Sequence, residues 1–263
     1  MPRYLLHLSF CGTNYNGWQV QENSRSVQSE IDQRITQLFS EPILSVGCGR
    51  TDTGVHASNF ILHFDLTREI SVVDLKFKLN RMLPPDIVVY HAFEVEKDFH
   101  ARFDALSRTY QYFISKERNP FLTNLSWHIH YRLNIQAMNE TIQILKEYED
   151  FSSFSKSKTQ VKTNLCTIHE VNWKETADFY IFSIKANRFL RNMVRAIVGT
   201  SLQIGLNKLD EKGLRAIVEG KDRRLAFESV PGTGLYLTQI EYPTTKFKGN
   251  NLQFQGIPFD PMN

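Results

Sequence analysis

No run of 18 apolar residues occurs in the 263-residue chain, so no segment meets the usual length for a membrane-spanning helix. The early stretch Tyr4-Leu5-Leu6-His7-Leu8-Ser9-Phe10 is broken by histidine and lacks a signal-peptide cleavage pattern, so a cytoplasmic protein without a membrane partner is expected. Cysteine is scarce. Cys11, Cys48 and Cys166 are odd in number and stand 37 and 118 residues apart, which supports neither a disulfide framework nor a zinc knuckle. Phosphate-cradling glycine patterns are also missing: there is no G-x-x-x-x-G-K-[ST] and no strand-linked G-x-G-x-x-G. The histidines show no H-x-x-x-H or H-E-x-x-H spacing, and His128 with His130 would be a pair without a third ligand, so no metal is expected.

Hydrophobic residues make up 41% of the chain and charged ones 22%, enough to bury the core of one large or two moderate domains. The net charge of +3 is too small to name a partner, but its distribution is uneven. Residues 1–100 carry 9 Lys/Arg against 12 Asp/Glu, a balance of −3, and the remainder carries 22 against 16, a balance of +6. Two stretches of the second part contain bases and no acid. Phe151 to His169 holds Lys156, Lys158 and Lys162, and Phe179 to Leu209 holds Lys185, Arg188, Arg191, Arg195 and Lys208. Such segments suit a polyanion, although a solvated basic surface has the same composition.

Period-two alternation predicts strands at Tyr4–Phe10, Phe60–Phe64, Ile87–His91, Thr109–Ile114 and Tyr180–Ile184. Val27, Ile31, Ile35 and Leu38 recur at helical spacing behind Ser26, a good N-cap, and predict a helix over Ser26–Phe39. Further helices are predicted at Gln136–Tyr148 after Asn134, at Arg188–Ile204, and at Asp210–Glu219 before Gly220. The third would put Arg188, Arg191 and Arg195 on one face. Strands and helices do not alternate regularly, so the expected class is α+β with largely antiparallel sheets. The expected organisation is two similar domains, 1–105 and 106–243, followed by an irregular tail, 244–263.

The densest unusual stretch is Gly47-Cys48-Gly49-Arg50-Thr51-Asp52-Thr53-Gly54-Val55-His56-Ala57. Three glycines around a carboxylate and an arginine indicate a tight loop between strands, the kind of place where catalytic groups are held. A purely structural turn, in which Asp52 caps backbone amides and pairs with Arg50, fits the composition equally well. The triplet Asp52-Thr53-Gly54 is that of aspartic proteases, but those enzymes need two carboxylates sharing a proton and this long chain has one triplet. The positive charge of Arg50 favours the ionised carboxylate, which suits a nucleophile or the stabiliser of a developing sugar cation. Further on, Phe99-His100-Ala101-Arg102-Phe103-Asp104-Ala105 and Ser107-Arg108-Thr109-Tyr110-Gln111-Tyr112 interleave aromatic and basic residues. Tyr110 and Tyr112 fall on one strand face beside Arg108, an arrangement that can grip a flipped base or simply belong to the core.

Gly49-Arg50-Thr51-Asp52-Thr53-Gly54-Val55-His56-Ala57 resembles the signature of the tRNA pseudouridine synthases of the TruA type. The resemblance extends in order through Gly12–Gln19, Arg25–Gln28, Leu79-Asn80 with Leu83–Ile87, Phe99–Tyr112, Asp150–Phe154, Ala186–Arg195 and Gly234–Leu237, nearly the whole chain. It implies two α+β domains with an active-site cleft between them, a homodimer, no cofactor, and conversion of uridine to pseudouridine in the anticodon stem and loop of tRNA, positions 38–40. The family's catalytic aspartate falls on Asp52, its pairing arginine on Arg50, its aromatic active-site residue on Tyr110 and a further active-site arginine on Arg195. Arg188, Arg191, Lys156, Lys158 and Lys162 are then expected to hold phosphates. An RNA-binding module that lost catalysis is the alternative from another class. Three departures stand out: Phe10-Cys11 where the family usually has Tyr-Asp, Thr53 for a usual alanine, and Glu228–Thr233 in place of an Ala/Pro-rich loop.

Overall fold

The alternating residues near the N-terminus form β1 (Arg3–Phe10) in the computed structural model of the chain, which describes residues 1–156 and 163–246. Two compact units are present, Met1–Ser107 with Tyr236–Asn263, and Arg108–Leu235. In the first, β1 lies between β3 (His56–Asp65) and β4 (Ile87–Val95), antiparallel to both. The short β2 (Val46–Gly47) pairs with β3, and β9 (Leu235–Glu241) joins β3 in parallel at His56 and Ala57.

Helix α1 (Val27–Phe39) begins where expected. Ser26 accepts from the Ser29 amide while Ser29 reaches back to the Ser26 amide, which satisfies two donors that a helix start otherwise leaves open. Its apolar face, Val27, Ile31, Ile35 and Phe39, is buried. Helix α2 (Val72–Met82), which the sequence did not announce, buries Leu75 and Leu79. Asn80 on α2 bonds both the amide and the carbonyl of Val89, each at 2.8 Å, beside the point where β1 and β4 slip register. A helix side chain thus completes a strand residue's backbone pairing.

In the second unit, β8 (Phe179–Ala186) pairs antiparallel with β5 (Ser107–Ser115) and with β7 (Ile168–Glu175), and β6 (Trp127–His128) adds to β5. Helix α3 (Ile135–Ile142), capped by the Asn134 side chain, gives way to a tighter turn over Gln143–Glu147, so the predicted helix to Tyr148 is shorter. On α3, Asn139 repeats the device of Asn80, bonding both backbone groups of Trp173 on β7. Helix α4 (Met193–Gly205) is almost wholly buried, and α5 (Glu211–Glu219) starts on the Asp210 cap. The expected α+β class with mainly antiparallel pairing is the class observed. Among the described residues no helix is long and apolar enough to cross a membrane.

Three buried groups in the first unit link folding to pH. Burial, assisted by neighbouring His91, pushes His7 down to about 4. Burial and the nearby charge of Arg3 push His63 down to about 4, and the His63 ring accepts the Ala101 amide at 3.1 Å. The unfolded chain takes up these protons near the ordinary value of 6.5, so the contribution of both histidines is full above 6.5 and lost as pH falls through 4. Asp32 runs the other way: burial pushes it up to about 6, so its contribution is full below 3.8 and lost as pH rises through 6. Two groups against one leave a net loss on the order of 3 kcal/mol between pH 6.5 and 4. The urea midpoint is expected to fall across that window, and Asp32→Asn to steepen the fall; a flat profile would contradict the assignment.

Candidate active site

The loop that carries Asp52 joins β2 to β3. Its frame is set by the Cys48 amide on the Ile61 carbonyl at 2.8 Å and by a turn in which Val55 donates to the Asp52 carbonyl at 3.2 Å. Thr51 is buried, Asp52 is half-buried and Thr53 is exposed, so the chain surfaces at the carboxylate. Gly54 has φ +74°, a left-handed conformation that resists a side chain.

A second segment, Gly12 to Trp18, lies backbone to backbone against this loop. The Trp18 amide donates to the Thr51 carbonyl at 3.2 Å, and the Gly54 amide donates to the Tyr15 carbonyl at 3.3 Å. The Gly12 amide donates to Nδ1 of His56 at 3.0 Å, and the His56 ring stacks on Tyr236 at 4.5 Å. No side chain fits between these strands of backbone. A Cβ on Gly17, itself at φ +84°, would sit 2.3 Å from the Thr51 carbonyl oxygen, and one on Gly12 would sit 2.0 Å from that of Val55.

The segment is anchored at both ends. The first amides of α1, Val27 and Gln28, donate to the carbonyls of Gly17 and Trp18, so the helix start is satisfied by the residues that grip the loop. The Trp18 ring stacks on Phe60 at 4.2 Å, closing over Gly47. At the other end the Tyr15 hydroxyl donates to Asp86 at 2.6 Å and the Cys11 amide to the Asp86 carbonyl at 2.9 Å, with the Arg25 guanidinium 4.8 Å over the Tyr15 ring. Burial and the Asp86 carboxylate hold the Tyr15 phenol far above its ordinary range.

Arg50 is exposed, and the expected Arg50–Asp52 ion pair is not formed among the described residues. The physical reason lies in the turn. Its geometry is set by backbone contacts to Gly12–Trp18, so it needs no arginine clamp and leaves the Arg50 side chain to solvent.

In the second unit, Tyr110 stands on β5 opposite Ile184, largely buried, with its ring edge-on to Phe189 at 5.1 Å. Tyr112, on the same strand face, is a core residue whose hydroxyl donates to the Pro231 carbonyl at 2.8 Å. Arg108 is also buried and donates to the Asn187 carbonyl at 2.9 Å.

The predicted helix over Arg188–Ile204 starts later, at Met193. Asn192 adopts a left-handed conformation, φ 67°, which breaks the approach to the helix, so Arg188 and Arg191 lie in the irregular segment before it and not on a helix face with Arg195. Arg195 does sit on α4. Its Nε donates to the Val230 carbonyl at 2.7 Å and its own carbonyl accepts the Val230 amide at 3.3 Å. The same loop is held by Asn192 and Arg223 on Ser229 and by the Tyr112 hydroxyl on Pro231. It packs so closely that a Cβ on Gly199 would lie 1.9 Å from the Glu228 carbonyl oxygen. Lys156 is exposed, and its amide donates to the Arg191 carbonyl at 3.1 Å, which brings these two cations to neighbouring positions. Lys158 and Lys162 lie outside the described residues.

The family model described as tRNA pseudouridine synthase matches residues 8–104 and 147–243. The chain belongs to the tRNA pseudouridine synthase family. The chain is 47% identical to the tRNA pseudouridine synthase A of Parabacteroides distasonis over 248 residues, 94% of this chain and 98% of that one. It is 44% identical to that of Bacteroides thetaiotaomicron over 94% of this chain and 93% of that one. With the protein of that name from Bacillus subtilis it shares 40% identity over 89% of this chain and 97% of that one. The two matched segments make the halves of the chain similar to one another, as expected. Members are isomerases, and the reaction of this synthase is the conversion of uridine to pseudouridine in tRNA.

Two features of the synthase escaped the sequence: the grip of Gly12 and Gly17 on the Asp52 loop, and the Glu228–Pro231 loop that holds Arg195. The glycines stood inside a matching motif, but their reason is a close approach across 34 or more residues that no local pattern reports. Gly49 supplies an internal control, since a Cβ there meets nothing within 4 Å. Gly17→Ala is expected to cost at least about 2 kcal/mol in urea unfolding and to lower turnover roughly ten-fold or more. Gly49→Ala is expected to stay within about 0.5 kcal/mol of the parent. Equal behaviour of the two variants would contradict the grip.

Proposed function

We propose that the protein isomerises uridines in the anticodon stem and loop of tRNA in the cytoplasm, as a homodimer, with Asp52 as its catalytic carboxylate and no metal or redox cofactor. The observation that carries the catalytic assignment is the pose of Asp52: a half-buried carboxylate at the surface of a loop fixed by backbone contacts on both sides. A group held this way reaches a substrate without first ordering its own loop.

The reaction breaks the N1–C1′ glycosidic bond, turns the uracil and joins C5 to C1′; the proton leaves C5 and N1 gains one, so no atom is lost and no electron is transferred. Asp52 acts on the sugar or the base, by attack at C1′, by attack at C6, or by taking a ribose proton to give a glycal. Tyr110 packs against the target base, with an ordinary phenol being a weak base at neutral pH, so positioning is its larger role. Arg195, on α4, is the further catalytic arginine. Arg50, exposed beside Asp52, meets the phosphate of the extruded nucleotide. Arg188, Arg191, Lys156 and Lys158 meet phosphates further along the RNA, which is read by shape more than by sequence. Extruding the base costs on the order of a few kcal/mol, offset by these contacts.

Tritium release from tRNA carrying [5-³H]uridine tests the central assignment. Asp52→Ala is expected to retain tRNA binding and to release tritium only at background, and full release by that variant would overturn the role of Asp52. Binding without release by the parent protein would favour an RNA-binding module. Tyr110→Phe is expected to keep turnover within about ten-fold of the parent; loss with intact tRNA binding would instead assign the chemistry to its hydroxyl.

A further inference from the structure

Among the described residues, the isomerisation reaction leaves several exposed apolar side chains unused, Phe121 and Phe103 among them. Phe103, in the loop after β4, is 74% exposed although it sits on a braced piece of backbone. The His100 ring lies 4.3 Å from it at 33°, and the Arg102 guanidinium lies 5.6 Å from its centroid. His100 Nδ1 accepts the amides of both Arg102 and Phe103, which leaves the ring proton on Nε2. The His100 amide donates to the Asp104 carboxylate at 2.7 Å.

The loop is tied to the rest of its unit at three more points. Arg3 donates to the Phe99 carbonyl, the Ala101 amide to His63 on β3, and the Tyr242 hydroxyl to the Ala101 carbonyl. Its acids are paired: Lys246 stands 2.9 Å from Asp98 and 3.4 Å from Asp104. The loop therefore presents an aromatic face flanked by an imidazole and a guanidinium, with its carboxylates neutralised. Burying Phe103 would be the ordinary way to use it, and its exposure on a fixed frame costs little ordering entropy when a flat partner arrives.

We propose that Phe103 is a stacking platform for an unpaired base of the bound RNA, with Arg102 serving the adjacent phosphate. This rests on tRNA being the substrate. An exposed ring next to a cation matches a base and its phosphate, whereas a protein-docking surface calls for a broader apolar patch. The platform is separate from the reacting nucleotide. It packs at the His63 position of β3, and the Asp52 loop enters that strand at His56, seven residues and on the order of 20 Å away. Phe103 thus fixes the register of the RNA at a second point, and its role is in binding.

The test uses the full chain with unmodified tRNA. Phe103→Ala is expected to raise both the Kd for tRNA and the KM by about ten-fold, with kcat at saturating tRNA within two-fold of the parent. Phe103→Trp is expected to retain the parent affinity and to show indole quenching when tRNA is added. Parent-like Kd and KM for Phe103→Ala would overturn the proposal. So would a change in self-association, seen by sedimentation, with tRNA affinity intact, because that outcome assigns the ring to a protein contact. Failure of the substrate reading itself is distinguishable: the parent protein would then neither bind tRNA nor release tritium.

Discussion

The close approach of Gly17 to the Thr51 carbonyl is the contact on which the candidate site depends. A catalytic carboxylate must be exposed enough to meet substrate and fixed enough to meet it in one orientation, and side-chain packing cannot supply both at a loop apex. Here the fixing is done by backbone. Gly12–Trp18 supplies donors and acceptors to Thr51, Gly54 and His56, and the absence of Cβ atoms at Gly12 and Gly17 is what lets the two segments meet. The contact is fed from further out: α1 donates its first amides into the same segment, and Asp86, just before β4, takes the Tyr15 hydroxyl. Motifs that look separate in the sequence, at Gly12–Gln19, Arg25–Gln28, Gly49–Ala57 and Leu83–Ile87, are one physical unit.

The second unit solves a related problem with different means. Arg195 projects from a buried helix, and the loop over Glu228–Pro231 is strapped to that helix by Arg195 itself, by Asn192 and by the close contact at Gly199, while Arg223 braces Ser229 and Ala226 from within the same stretch of chain. This is the stretch in which the sequence departs from the Ala/Pro-rich pattern of the family. Its contacts here run through backbone carbonyls and the Ser229 hydroxyl, so the composition of the loop can change while the strap is kept.

How much was legible in the sequence follows from which forces act locally. Strands β1, β3, β5 and β8 and helix α1 carried strong alternation or a clear cap, and those signals are local. Helix α2 was not announced because its buried positions, Leu75 and Leu79, are few and its exposed face includes Val73 and Phe77, which blurs the period. The basic helix face failed for a different reason. The spacing of Arg188, Arg191 and Arg195 fits a helix, but the left-handed Asn192 interrupts it, and a single residue of that kind leaves no trace in a periodicity. The identity of Asp52 was readable because a glycine-flanked carboxylate is rare outside irregular loops; its lack of an Arg50 partner was not, because the turn is set by residues 33 or more positions earlier.

The central claim, that backbone contacts from Gly12–Trp18 immobilise the Asp52 loop, is tested most directly by residue-resolved amide hydrogen exchange on the free protein. The amides of Gly12, Trp18 and Gly54 are expected to exchange as slowly as those in the middle of β3, since opening any of them requires the segment and the loop to separate. Exchange of these amides at the rate of those of the exposed Arg68 and Glu69 would contradict the account.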